Sequence, residues 1–250
     1  MTAGPLAQLR TFTGTHGGTR HSQVAGDLGS RIVGGRYPAG ATLPPEADLL
    51  AEFTVSRPVL REAIKSLESK GMLEARQRRG TSVLPRSRWN LLDPDVLGWI
   101  ARSGVDPQML IRLTEVRMIV EPGACALAAE TGSDEGLRPV EEAWQRMVAH
   151  VDHPQRFIDA DCDFHLALLM AGGNEYLAAI GTVISAALTV SLERTNPTPA
   201  SNVAALPLHK RILDALLRRD GSGAARESRR QLEEALRRLR RRATVHSHAS

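Results

Sequence analysis

The chain has 250 residues, of which 42% are hydrophobic and 24% charged, as is ordinary for a globular protein of one large or two modest domains. No stretch approaches the ~18 apolar residues of a membrane span, and the first 20 residues contain no apolar signal core, so we expect a cytoplasmic protein rather than a membrane-embedded one. The first 90 residues carry 13 Lys and Arg against 7 Asp and Glu, whereas the remainder carries 19 against 21. The net charge of +4 therefore arises in the N-terminal part, where a polyanionic partner is expected.

The first predicted elements are a tail and one helix. Residues 1–21 are rich in Gly and Thr and show little periodicity, so we assign them to a flexible tail. Apolar residues recur at helical spacing from about Ser22, and the Gly34-Gly35 pair ends this helix. A turn rich in Pro and Gly leads into the next segment.

A helix-turn-helix pattern follows. Residues 46–53 have the pattern of a short helix, and Thr54-Val55 is the turn. Ser56 can cap a second helix, and Pro58 fits its first turn. Two short strands then flank a basic tip, which completes the order of a winged helix-turn-helix over residues 22–84. The strands are expected at 73–77 and 81–84, around Arg78, Arg79 and Gly80.

The second helix of this motif has two different faces. An apolar stripe faces inward, and a basic face repeats every four residues. Such a helix alone is more often a solvated surface helix, but the preceding short helix and the basic hairpin favour DNA binding. The arginines of the wing tip can lie along a phosphate backbone or enter the minor groove. The stripe is Leu60, Ala63 and Leu67, and the basic face is Arg57, Arg61 and Lys65.

The C-terminal part is predicted to be helical throughout. Residues 85–103 read as a packed linker with a connecting helix, because their apolar anchors include two tryptophans. No later run alternates with period two, so residues 104–243 are expected to form an all-α bundle, followed by a tail at 244–250. Cys125 and Cys162 lie in apolar helical patterns and are expected to be free buried thiols. The predicted helices are 107–130, 134–150, 154–172, 174–194, 203–219 and 222–242.

Three polar residues face the predicted core of this bundle. Asp161 and His165 are four residues apart and share one helix face, which continues into Leu168. His209 begins the apolar stripe of another helix. From the spacing alone, a buried and mutually satisfied Asp–His pair is the preferred explanation of the first two residues, and half of a divalent metal site is the alternative. Three inward polar groups need partners, which a cation or an anionic ligand would supply.

The N-terminal motif resembles the DNA-binding domain of GntR-type bacterial repressors. The resemblance rests on LPPEADLLAEFTVSRPVLREA at 43–63 and on the RRGTSV run of the wing. It implies that Ser56, Arg57, Pro58 and Arg61 approach bases and phosphates, as the wing does near Arg78, Arg79 and Gly80. Many members carry Arg directly after the Glu of the P-x-E motif, where this chain has Ala47. One DNA contact used by relatives is therefore expected to be lost.

The C-terminal part resembles the FCD effector domain of the FadR-type branch of that family. The matching residues are R-x-x-x-E at 117–121, D-x-x-F-H at 161–165, Gly173-Asn174 and H-x-x-I at 209–212. The resemblance implies a divalent metal, usually zinc or nickel, bound by Asp161, His165 and His209. The usual fourth histidine is replaced by Gln231, a poorer zinc ligand than imidazole. It also implies a small organic or sugar acid as effector, contacted by Arg117, Asn174 and Gln231, with galactonate-type regulators most similar.

Three functions compete at this level. The first is a homodimeric, effector-responsive DNA-binding regulator, most simply a repressor released from a near-palindromic operator by a small acid. The second is a metal-dependent hydrolase or lyase using Asp161, His165 and His209. The third is a nonspecific DNA-packaging protein, which would not need a polar cavity in a large helical domain. We therefore expect a regulator without catalytic residues.

Overall fold

The computed structural model describes residues 19–76, 80–103, 107–196 and 198–247, and the chain divides into two compact units with a boundary after residue 106. The first is a winged helix-turn-helix and the second an all-α bundle, which confirms the predicted fold class. The wing-tip residues 77–79 and most of the predicted N-terminal tail lie outside the described residues.

The N-terminal unit follows the predicted order of elements. Its helices and strands are α1 (Arg20–Val33), α2 (Glu46–Phe53), α3 (Arg57–Ser69), β1 (Leu73–Arg76), β2 (Gly80–Val83) and α4 (Pro94–Ser103). Strands β1 and β2 are antiparallel, with Leu73 opposite Val83. The segment before α2 also bonds to β2, because the amide of Leu43 donates to the carbonyl of Thr81 at 2.8 Å. The wing is thus tied to the start of the helix-turn-helix.

The core of this unit lies where α1, α2 and α3 meet. The apolar stripe predicted for α3 is fully buried, which leaves its basic face outward. Burial of large side chains on one face is what fixes the orientation of a short helix whose intrinsic stability is marginal. The most buried side chains of this core are Leu28, Leu49, Leu60, Leu67 and Met72.

Two sharp turns position the helix and the wing. Thr54, in the turn between α2 and α3, adopts a left-handed φ of 52°. Gly71 follows α3 with a φ of 71°, and a Cβ placed there would lie 2.3 Å from the carbonyl oxygen of Arg88. Only glycine is compatible with both this φ and this close approach. The path from the recognition helix into β1 therefore depends on Gly71.

The segment predicted as a packed linker folds onto the winged unit. Helix α4 packs on α1 so closely that a Cβ at Gly29 would lie 2.4 Å from the ring of Trp99. Lys70, at the end of α3, binds Asp93 at 2.7 Å and Asp95 at 3.0 Å. Burial lowers the pKa of Lys70, but these two carboxylates more than compensate and raise it. An apolar contact and a charged one thus hold α4 to the DNA-binding motif.

The bundle contains six helices within the described residues: α5 (Pro107–Thr131), α6 (Asp134–Ala149), α7 (Pro154–Ala171), α8 (Glu175–Thr195), α9 (Pro199–Leu217) and α10 (Gly221–Ser247). Their bounds agree with the predicted ones except at the start of α9 and the end of α10. Helix α9 begins four residues earlier than expected, because Thr198 and Ser201 form a capping box and Pro199 occupies the first turn.

Two helices extend into the segments predicted as tails. Helix α1 already begins at Arg20, inside the tail assigned to residues 1–21, and α10 continues to Ser247, inside the tail assigned to 244–250. The basic run before Ala243 has no glycine or proline to end a helix, so α10 extends beyond its last apolar anchor.

Helix α7 is the centre of the bundle. Most of its side chains are buried, and the largest, Phe157 and Phe164, belong to the main core together with residues of α6 and α9. A helix buried on nearly all sides has no solvent face for its polar residues. Asp161 and His165 must therefore find partners inside the protein.

Both cysteines are buried thiols that form no disulfide, as predicted. Burial raises the pKa of the Cys125 thiol to about 12, so it is an inert core residue at neutral pH. Among the described residues, no helix combines the length and apolar character needed to cross a membrane.

The contact between α1 and α4 gives a stability test. Gly29→Ala forces a methyl group into the ring of Trp99, so we expect a loss of about 1–3 kcal/mol in the free energy of unfolding of the N-terminal unit. Gly26→Ala is the matched control on the same helix: its new methyl meets nothing within 4 Å, and we expect a gain of about 0.5–1 kcal/mol. Urea unfolding measures both, and equal effects of the two variants would contradict this packing.

Candidate DNA interface and candidate metal centre

The basic face of α3 is open to solvent. The side chains of Arg57 and Arg61 are 75% and 65% exposed. Glu46, in the first turn of α2, lies 3.8 Å from each of them through its two carboxylate oxygens. Exposed pairs at this distance contribute little to stability. Glu46 therefore holds both arginines on one side of α3 loosely enough for a phosphate to take its place.

The remaining predicted DNA contacts border this face. Ser56 occupies the N-cap position of α3, but its hydroxyl makes no capping hydrogen bond to the described backbone, contrary to the prediction that it caps the helix. Ser56, Pro58 and Gly80 are exposed, and Gly80 turns the wing with a φ of 79°. Arg78 and Arg79 lie outside the described residues. Ala47 is exposed beside Glu46, at the place where relatives are expected to carry Arg.

Three polar side chains converge in the bundle core, as the helical spacing predicted. Oδ1 of Asp161 lies 3.2 Å from Nε2 of His165 and 3.1 Å from Nε2 of His209. One ligand atom from each residue lies within 4.8 Å of the others. All three side chains are at most 1% exposed, and Phe164 packs edge-on against both imidazole rings. We call these three residues the Asp–His cluster.

The outer nitrogens of the two imidazoles are already occupied. Nδ1 of His209 lies 2.9 Å from the carbonyl oxygen of Ala205, which can only accept a hydrogen bond. Nδ1 of His165 lies 2.9 Å from Oε2 of Glu121. Both Nδ1 atoms are therefore assigned as donors, and in its neutral form each ring turns the lone pair of its Nε2 toward Asp161. Three acceptors facing one another require a proton or a cation between them.

The charges around the cluster keep the carboxylates ionised. Burial alone would raise the pKa of Glu121, but Arg117 and His165 lower it to about 2. Burial would likewise raise the pKa of Asp161, but His209 and His165 hold it well below its usual range. The pKa of His165 shifts in the opposite direction. Burial lowers this pKa, but Glu121 and Asp161 raise it above its usual value. The cluster therefore places two ionised carboxylates beside the imidazoles of His165 and His209.

Two amide side chains border the Asp–His cluster. Asn196, at the end of α8, donates from Nδ2 to Oδ2 of Asp161 at 3.0 Å and accepts from Arg238 at 3.2 Å. Nε2 of Gln231 lies 3.4 Å from Nε2 of His165, and its Oε1 is buried without a described protein partner. Since the two ends of an amide are assigned from their surroundings, turning this group over brings Oε1 toward the cluster.

A small cavity adjoins the Asp–His cluster. Its volume of about 20 Å³ is enough for one ordered water or an ion. A sugar acid needs more space, so side chains must move to admit one. Most of the side chains around the cavity are polar or charged, among them Arg117, His209, Asn196, Gln231, Glu234 and Arg238.

The structure separates the three predicted effector contacts. Arg117 and Gln231 line the cavity, and Arg117 is 1% exposed and paired with Glu121. Asn174 does not line it: its Oδ1 caps α8 by accepting from the amides of Tyr176 and Leu177. The placement of Asn174 is therefore explained by helix capping and gives no support to effector binding. The sequence did not predict Asn196, which no periodic pattern links to Asp161.

The donor set fits a divalent transition metal. Two imidazole nitrogens and a carboxylate oxygen are ligands that zinc and nickel accept, and each histidine has its other nitrogen held by a carboxylate or a carbonyl, as ligating histidines do. The unpartnered Oε1 of Gln231 offers an oxygen beside them. The residues present therefore fit the metal that the resemblance implied, with an amide in place of the fourth imidazole.

Comparison with known proteins agrees with this two-unit organisation. Residues 20–83 match the gntR family of bacterial regulatory proteins, and residues 112–234 match the FCD domain. The galactonate operon transcriptional repressor of Escherichia coli K12 is 36% identical over 214 residues, which cover 85% of this chain and 93% of that protein. The E. coli K12 transcriptional repressor NanR is 27% identical over 209 residues, or 81% of this chain and 78% of NanR.

A solved structure supports the fold. Lar, which controls the expression of the Listeria monocytogenes agr system, aligns with a TM-score of 0.67 at 20% identity, over 91% of this chain and 99% of Lar. At this identity the likeness concerns the fold alone. The members of the matched families are transcriptional regulators, so the hydrolase or lyase alternative is set aside. The chain belongs to the GntR family of bacterial transcriptional regulators and carries the FCD domain of its FadR-type branch.

Proposed function

We propose that the protein is a repressor that binds a near-palindromic operator as a homodimer and is released when the bundle binds a small organic or sugar acid. The acid-binding part of the proposal rests on the Asp–His cluster. Its lone pairs converge beside a cavity that Arg117 lines. Burying polar groups is costly unless a partner satisfies them, and a cation between these lone pairs would be such a partner. The names of the relatives, two of them repressors, support the direction of regulation.

The DNA half of the proposal rests on α3. Arg57 and Arg61 are exposed on the side opposite the buried stripe, and both lie in reach of a groove that accepts a helix. Phosphate oxygens would replace Glu46 as their partner. Ser56, Pro58, Gly80 and the wing arginines Arg78 and Arg79 would add phosphate contacts at the borders of the same surface.

The homodimer and the near-palindromic operator are proposed together, since two identical winged units related by a two-fold axis would read two half-sites of a palindrome. Apolar side chains left exposed on the bundle are available for such a contact. Ile119 on α5 is 79% exposed and Tyr176 on α8 is 74% exposed.

In the acid-binding part of the proposal, the residues of the bundle have distinct roles. Asp161, His165 and His209 would hold a divalent metal such as zinc or nickel, with Gln231 or water beside it. Bound there, the metal supplies a positive centre for the carboxylate of the acid. Glu121 and the carbonyl of Ala205 orient the two imidazoles, and Asn196 orients Asp161. Galactonate is the first sugar acid to test, because one relative is the galactonate operon repressor of E. coli.

Arg61 tests the DNA half. Arg61→Ala is expected to lower operator affinity by about 10- to 100-fold, as for one lost arginine contact, and to reduce its salt dependence. Glu46→Gln is the paired variant and is expected to raise operator affinity, because it removes the carboxylate that competes with DNA for Arg57 and Arg61. Gel-shift titration at several salt concentrations measures both. Unchanged affinity and unchanged salt dependence in Arg61→Ala would refute the assignment of α3.

His209 tests the metal centre. His209→Ala removes one of the three ligands and is expected to lower bound metal, measured by elemental analysis, to well below one ion per chain. His153→Ala is the control, because that exposed histidine lies in the same unit outside the cluster. Gln231→His should retain zinc against more chelator than wild type, since imidazole is the better zinc ligand. Equal metal contents in all four proteins would contradict the centre.

The effector is found by a thermal-shift screen of organic and sugar acids, galactonate among them, with and without a chelator. A ligand that binds only the folded state at 100 times its Kd raises stability by about 2.7 kcal/mol. We expect a shift that the chelator reduces, and loss of the operator complex on adding the same acid. A screen without any shift, or a shift without release from DNA, would rule out an acid-released repressor.

A further inference from the structure

A second, larger depression lies beside the cavity of the Asp–His cluster. It has a volume of about 300 Å³ and is formed by α9 and α10. We call it the arginine groove, after the four arginines that line it: Arg211, Arg230, Arg237 and Arg238.

The arginine groove carries more positive than negative charge among the described residues. Glu227 lies 3.0 Å from Arg211 and 4.0 Å from Arg230. Glu234 lies 2.8 Å from Arg237 and 3.1 Å from Arg238. Each carboxylate is thus shared by two guanidinium groups, which leaves two positive charges in excess. A concave surface with this excess favours an anionic ligand.

The groove is connected to the Asp–His cluster. Glu234 and Arg238 line both the groove and the inner cavity. From Arg238 a chain of hydrogen bonds runs to Asn196 at 3.2 Å and on to Asp161 at 3.0 Å. A ligand that engages the cluster at one end therefore has its other end close to arginines.

Glu234 already shows how the groove binds a carboxylate. Oε2 of Glu234 accepts from both Nε and Nη2 of Arg237, and its Oε1 accepts from Nε of Arg238. The Arg237 hydrogen bonds, and those of Arg238, lower the pKa of Glu234, so it is an ionised carboxylate at neutral pH. This side chain is a third exposed, and the ligand carboxylate that replaces it would find the same donors.

We propose that the arginine groove binds a second acidic group of the effector, in place of Glu234, while the first acidic group lies at the Asp–His cluster. The inference rests on the proposed acid-binding function of the bundle and predicts that dianionic sugar acids bind more tightly than monoanionic ones. Arginines on an exposed helix are commonly only solvated and ion-paired. Here two charged side chains of the groove, Glu234 and Arg238, also border the inner cavity, which gives the groove a ligand-binding position.

Galactonate and galactarate provide a matched pair of probes. Galactonate has a hydroxymethyl group at the end where galactarate has a second carboxylate. Calorimetry on the metal-loaded full-length protein is expected to give galactarate the higher affinity by about tenfold, the effect of one charge-assisted pair. Arg237→Ala should bring the ratio of the two affinities close to one. Arg229→Ala, an exposed arginine of α10 outside the groove, should leave the ratio at its wild-type value.

Glu234→Gln provides a test in which the affinity for galactarate should rise. It removes the internal competitor and should raise the affinity for galactarate more than that for galactonate. If galactonate binds at least as tightly as galactarate to the wild type, or if Arg237→Ala leaves the ratio unchanged, the groove is not an effector subsite although the acid-binding function stands. If neither acid binds and no other acid of the screen binds either, the proposed function fails and this inference fails with it.

Discussion

The bundle is organised around one buried carboxylate. Asp161 lies on a helix with almost no access to solvent, and it remains charged because two imidazoles and the amide of Asn196 surround it. Taking an ion out of water is expensive, so every neighbour of Asp161 must contribute a compensating interaction. This requirement explains why Glu121, Arg117 and Gln231, from three different turns of two helices, all point to the same place. The arrangement is a polar core inside an apolar bundle.

The periodicity of the sequence predicted the members of this core that share a helix face. Asp161 with His165, and His209 with Ile212, follow from the 3.6-residue repeat, and the structure brings the three polar residues together. Asn196 and Arg238 did not follow, because Asn196 lies at a helix end and Arg238 is one of many charged residues on α10, so the spacing singles out neither. Partners across helices arise from packing, which one sequence does not encode in its spacing.

The helix bounds also divide into those that the sequence pattern predicted and those that it did not. Most helix bounds followed from Gly, Pro and apolar spacing, whereas the early start of α9 required reading Thr198 and Ser201 as a capping box. Asn174 is the reverse case. The family resemblance suggested a ligand contact, and capping of α8 is the simpler physical account. A polar residue directly before a helix therefore has to be tested as a cap before a functional role is assigned to it.

The packing of α4 against α1 has a consequence for where the DNA-binding unit can be cut out of the chain. The winged motif ends at Val83, but the ring of Trp99 covers Gly29, and Asp93 and Asp95 neutralise Lys70. A fragment that stopped after β2 would leave the surface of α1 bare and apolar, and such fragments tend to associate through the uncovered patch. The smallest autonomous fragment of this unit therefore extends through Ser103, so that α4 serves as its outer wall.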